Sequence, residues 1–170
     1  MKVLCVIDMQ NDFIDGALGT AEAVAIVENV RDKIDAYRQN GDTVIFTRDT
    51  HYENYMDTAE GKKLPVPHCI KGTPGWQISD RLEVGDSTVV DKPTFGSVEL
   101  SELVSSLGGV EKIEVIGLCT DICVISNVLL LKAKLPEVPI CVDSKCCAGV
   151  TPDSHSNALE AMKMCQIEIL

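Results

Sequence analysis

Short apolar runs rich in β-branched residues alternate along this chain with stretches of helical period, and nothing else in the sequence restricts the fold so tightly. Val3 to Met9 reads as a strand. Ala21 to Gln39 carries Val24, Val27, Val30, Ile34 and Tyr37 at helical spacing and closes on Asn40-Gly41. Thr43 to Arg48 is strand-like, Ser87 to Asp91 is a strand, and Val98 to Leu107 is a helix. Lys112 to Gly117 is a strand and Asp121 to Lys134 a helix apolar on most sides, hence buried. Val138 to Asp143, Pro152 to Met164 and Gln166 to Leu170 follow as strand, helix and strand. Between Thr50 and Gly85, Gly61, Pro65, Pro67, Gly72, Pro74 and Gly75 predict a long loop, and loops of this length in compact domains usually serve function. Near-continuous apolar strands joined by helices predict a parallel sheet covered on both faces. The expectation is an α/β fold, a three-layer α/β/α doubly wound six-stranded parallel sheet, as one domain over residues 1–170.

Charge and cysteine content narrow the class. The net charge of -11 leaves no clustered basic face for phosphate, so nucleic acid is not an expected partner. The longest apolar run, near Val124 to Leu131, falls far short of the roughly 20 residues of a membrane span. Met1-Lys2 leads straight into a strand with a charge at Asp8, which predicts no signal peptide and a cytoplasmic chain. Eight cysteines are many for such a chain, but Cys5, Cys141 and Cys165 sit inside apolar runs and no CxxC pair occurs. Reduced, buried cysteine is the expected state of most of them.

In a doubly wound sheet, ligands bind beyond the carboxyl ends of the strands. The residues expected there are Asp8, then Asp49 and His51, then Lys92, then Cys119, Thr120, Asp121 and Cys123, and finally Asp143. If Thr120 caps the following helix, Cys123 is its third residue, where free N–H groups and the positive end of the dipole favour a thiolate and can receive an oxyanion. Asp8 is the natural base for it, and the charge of Lys92 favours the ionised forms of both. Taken singly, each residue has a plainer role: Cys123 as core filler, Asp8 as a strand terminus, Lys92 as a surface lysine. A second group is Asp49 and His51 with Glu60 and His68, a carboxylate and imidazole set suited to zinc, manganese or iron. His51 and His68 read equally well as polar loop residues. His155, at a helix start, is expected to be structural and remote from the rim.

Together these segments resemble the isochorismatase-like cysteine hydrolases, and within them the nicotinamidase-like branch. The matching motifs are VIDMQNDF around Asp8, TRDTH around Asp49 and His51, VPHCIKGTPGW around His68, DKPTFGS around Lys92, and GLCTDICV reaching Cys123. The resemblance covers residue 3 to roughly residue 165. It implies a catalytic triad of Asp8, Lys92 and Cys123. It also implies a cis peptide between Leu118 and Cys119, with the N–H groups of Cys119 and Cys123 as an oxyanion hole. The nicotinamidase branch implies a divalent metal, zinc ahead of manganese or iron, on Asp49, His51 and His68, with Glu60 roughly matching a further carboxylate. Phe13 and Trp76 are candidate walls for a substrate ring, and serve equally as core aromatics. The segment after Lys92 matches the general family better than the nicotinamidase branch, so the amidase class is expected more firmly than the substrate. The implied reaction is cleavage of a small carboxamide through a thioester, with nicotinamide as the leading substrate. Alternatives are a metal-free amidase or carbamoyl hydrolase, and a non-catalytic homologue that keeps the fold. A homo-oligomer is a further expectation, from apolar rim segments and the family.

Overall fold

The computed structural model describes residues 1–170. Six strands form one sheet: β1 (Lys2–Ile7), β2 (Thr43–Asp49), β3 (Thr88–Lys92), β4 (Lys112–Leu118), β5 (Ile140–Ala148) and β6 (Glu168–Ile169). Every pairing is parallel, and the order is β3-β2-β1-β4-β5-β6. The helices are α1 (Asn11–Ile14), α2 (Ala21–Ala25), α3 (Val27–Gln39), α4 (Ala59–Lys63), α5 (Val98–Ser106), α6 (Ile125–Lys134) and α7 (Pro152–Met164). The helices flank both faces, as the continuous apolar strands require. Val3 to Ile7 are all fully buried, a pattern that a sheet with one wet face does not produce.

Three elements differ from the sequence expectation. The helix predicted over 21–39 divides at Ile26, so Thr20 caps α2 by accepting from Ala23 N at 3.0 Å and α3 starts afresh. Val24, expected on the buried face, is 42 % exposed, while Val27, Val30, Ile34 and Tyr37 keep α3 on the sheet. The loop of residues 50–85 contains α4 and two turns of 3-10 helix, Tyr55–Asp57 and Pro74–Trp76. Finally, β5 runs on to Ala148, with an irregularity in its register against β4. Asp143 therefore lies inside the strand and not at the rim. Its carboxylate accepts from Lys145 N at 3.0 Å and pairs with Lys33 at 2.8 Å. The polar triplet Asp143-Ser144-Lys145 reads as a strand end in sequence, but the register irregularity lets the strand continue through it.

The order places β1 and β4 side by side at the centre, where the connections leave in opposite directions. That is the topological switch point, and it opens a crevice at the carboxyl ends of the two strands. Gly117 makes the close approach there possible. Its φ of +117° suits glycine, and a Cβ would collide with the backbone of Ile7, the residue before Asp8. No helix is long and apolar enough to cross a membrane.

Candidate active site

Asp8 leaves β1 with φ +47°, a left-handed conformation unusual for a non-glycine residue and common at functional positions. Thr47, on the neighbouring strand β2, donates to Asp8 Oδ1 at 2.6 Å. Lys92, the last residue of β3, reaches across with Nζ 2.6 Å from Asp8 Oδ2 and 3.4 Å from Asp49 Oδ1. The same ammonium lies 3.4 Å from Cys123 Sγ and donates to Thr94 O at 3.2 Å. Asp8, Lys92 and Cys123 are 0 %, 1 % and 4 % exposed, so this lysine is no surface residue. A charge buried so completely requires partners, and the carboxylates supply them.

Burial raises the acid in Asp8 above its ordinary value, and the Lys92 ammonium offsets this only in part. Burial works to neutralise Lys92, but the Asp8, Cys123 and Asp49 anions outweigh it and keep the ammonium charged. Burial pushes the Cys123 thiol well up, and the Asp8 carboxylate beside it pushes the same way. Both influences work against the thiolate expected from the helix start. Desolvation outweighs the lowering pull of the Lys92 ammonium.

Cys123 sits on a widened π turn, Thr120–Val124, that leads into α6. The capping residue is Cys119 and not Thr120, and Val124 N donates back to Cys119 O at 3.0 Å. The Leu118–Cys119 peptide is cis. Thr120 is fully buried and its hydroxyl is not free to cap, because it bonds His155 Nδ1 at 2.7 Å. His155 is structural, but it is not remote: it ties α7 to the turn that carries Cys123.

Asp49, His51, Glu60 and His68 converge. One ligand atom from each lies within 4.8 Å of all the others. His51 Nε2 and Asp49 Oδ2 approach to 2.8 Å without the alignment of a hydrogen bond, leaving a buried nitrogen with no hydrogen-bond partner. His68 Nδ1 is 2.8 Å from the Val66 carbonyl, which can only accept, so Nδ1 carries the proton and Nε2 turns a lone pair toward Glu60 at 3.6 Å. A backbone carbonyl holding the far nitrogen is the usual support of a metal-binding imidazole. Burial raises Asp49, but His51 and Lys92 outweigh it and hold it ionised. Burial likewise opposes protonation of His51, and Asp49 and Glu60 reverse the direction. An orphaned nitrogen, a tautomer fixed from behind and two carboxylates fit a divalent cation with borderline preference.

Cys123 and all four residues of the second group line one cavity of about 750 Å³, with Asp8 and Lys92 buried behind Cys123. Phe13 lines it, with its ring 5.4 Å from His68. Trp76 does not line it. Its Nε1 donates to Thr50 Oγ1 at 2.9 Å and the Arg48 guanidinium lies 3.7 Å over its ring, so it buttresses the end of β2 from behind. The wall role expected for Trp76 is withdrawn on that ground.

The isochorismatase domain family matches residues 2–170. The chain belongs to the isochorismatase family. Its relatives include a nicotinamidase/pyrazinamidase of Mycobacterium tuberculosis, 27% identical over all of this chain and 98% of that protein. A probable inactive nicotinamidase of Arabidopsis thaliana is 31% identical over 94% of this chain and 87% of its own. Among solved structures, the zinc complex of a pyrazinamidase from Pyrococcus horikoshii has a TM-score of 0.86 and 26% identity, covering 99% of this chain and 98% of that one. This is an isochorismatase-family hydrolase with amide-cleaving relatives.

Two residues of this isochorismatase domain escape a reading by strand ends. Gln10 is fully buried and donates to Asp49 O at 2.9 Å and Trp76 O at 2.8 Å, while its Oε1 accepts from Asp49 N at 2.7 Å. It clamps the residue that faces both Lys92 and the histidines. Asn127, also fully buried, accepts from Ser97 N and donates to Cys123 O, each at 2.8 Å, joining the turn of Cys123 to the start of α5. For Asn127 the available signal was an uncharged amide in ICVISNVLLL, a run otherwise apolar but for Ser126; Gln10, among Asp8, Asn11 and Asp12, offered none. Such a side chain must be satisfied internally, so it reports a buried network.

Proposed function

We propose that this chain is a cysteine-dependent amidohydrolase that cleaves nicotinamide to nicotinate and ammonia. The observation that carries the reading is that Cys123, in contact with the buried Lys92 ammonium that also pairs with Asp8, lines the same cavity as the four-residue cluster. Asp8 takes the Sγ proton as the sulfur attacks the carboxamide carbon, a transfer eased by an acid that burial has already raised. The oxyanion that forms is received by backbone N–H groups at Cys119 and Cys123, and that of Cys119 has no other acceptor in the protein. The C–N bond breaks and the amine leaves as ammonia with the proton from Asp8. Water then gives a proton to Asp8 and attacks the thioester, and the sulfur departs and is reprotonated. Throughout, Lys92 balances whichever of Asp8 and Cys123 is anionic. Asp49, His51, Glu60 and His68 would hold a divalent ion, zinc ahead of manganese or iron, which supplies a Lewis-acid site for a ring nitrogen. Phe13 flanks the ring.

Metal content and ammonia release from nicotinamide test the reading directly. Near-stoichiometric metal and turnover that fails in Cys123→Ser are expected. Turnover that survives chelation and His51→Ala, but not Cys123→Ser, marks the metal-free amidase instead. The Arabidopsis relative described as a probable inactive nicotinamidase keeps a silent homologue in view, and a protein inert toward every small amide supports it.

A further inference from the structure

The cavity is much larger than the proposed substrate. At water's share of roughly 30 Å³ per heavy atom, the nine heavy atoms of nicotinamide fill roughly 270 Å³, little more than a third of about 750 Å³. Exposure divides what remains. Cys123, Asp49, His51, His68 and Phe13 are all buried and form the inner end. Leu64, Phe95 and Val150 line the same cavity but are 38 %, 44 % and 52 % exposed, which places them at its mouth. These three come from unrelated segments, following α4, β3 and β5 respectively. Three large apolar side chains held in water around one opening are a recognition surface more than an accident of composition. Leu18 and Ile122, both half-buried, continue the apolar wall inward.

We propose that this rim is an outer subsite for an apolar substituent on the ring that bears the carboxamide, so that the preferred substrate is an aryl-extended carboxamide larger than nicotinamide. The inference rests on the amidohydrolase reading above. The inner end fixes the carboxamide and the ring. The outer walls then gain only if the substrate carries an apolar arm to cover them, and one well-buried apolar group of this kind is worth at least about tenfold in kcat/KM.

The test compares kcat/KM for ammonia release from nicotinamide with that for phenyl-substituted nicotinamides, the phenyl placed on each open ring carbon in turn. The wild-type, metal-loaded protein is used. The expected result is a preference of tenfold or more for at least one phenyl isomer, with that ratio collapsing in Val150→Asp and in Leu64→Asp. Val150 and Leu64 are exposed enough for both variants to fold. If no isomer exceeds nicotinamide threefold, the outer subsite is overturned while the amidohydrolase reading stands. If no amide is cleaved, both fail together. Sedimentation adds a further arm. A dimer that Val150→Asp dissociates, without any change in substituent preference, means that a second copy covers the rim, and it also overturns the proposal.

Discussion

Cys123 shows what burial does to a nucleophile. The thiol is pushed up by desolvation and has a carboxylate and an ammonium as neighbours, and in the proposed mechanism Asp8 takes its proton. Cys123→Ser is expected to lower turnover by at least about a thousandfold while circular dichroism stays unchanged. Lys92 is a different case. Removing it leaves the Asp8 and Asp49 carboxylates buried against each other, so Lys92→Met should cost about 3–5 kcal/mol in urea unfolding, besides abolishing turnover. Gln10→Ala spares every candidate ligand yet frees Asp49, and metal affinity in competition with a chelator should fall about 10–100-fold. At this scale the sequence was informative wherever topology determines position. Asp8, Asp49, Lys92 and Cys123 lie together because parallel strands end on one rim. Trp76 misled because an aromatic near a site can face either way, and Arg48 and Thr50 decide it through contacts that no spacing encodes.

Among the elements, α3 and β5 teach most. Lys33, on α3, reaches Glu114 at 2.7 Å and Asp143 at 2.8 Å, and Tyr37 donates to Glu114 at 2.8 Å. This network anchors α3 to β4 and β5, well inside the strands. Burial alone would raise Asp143, but Lys33 and the Lys145 N–H hold it below its ordinary value. An acid depressed in the fold stabilises fully above its unfolded value, about pH 4, and that contribution disappears as pH falls through the folded value. Lys33 runs the other way. Burial lowers it, its two carboxylates raise it further, and its contribution is lost only as pH rises through that raised value. Unfolding free energies of wild type and Asp143→Asn should therefore differ by about 1 kcal/mol at neutral pH and converge in strong acid. A difference that persists in acid contradicts the assignment. Before folding, Asp143 reads as one more acid at a strand end, because a strand that continues through a polar triplet is invisible to apolar periodicity. The same limitation hid α4, which brings Glu60 to the histidines from inside a segment punctuated as loop.

The whole molecule is organised around the switch point between β1 and β4. The doubly wound parallel sheet was legible, since alternating strands and helices leave few other arrangements, and a crevice at its strand ends follows from it. The size of the cavity was not legible, because Leu64, Phe95 and Val150 become neighbours only when three loops fold over one opening. The central claim is that Cys123 carries the acyl group between two half-reactions. Acid-quenching the metal-loaded protein during turnover of nicotinamide, with peptide mapping by mass spectrometry, reads that directly. The account predicts a nicotinoyl group on the Cys123 peptide, absent from Cys123→Ser, and a burst of ammonia equal to the enzyme present. Ammonia released at an undiminished rate by Cys123→Ala, with no adduct in wild type, would contradict it.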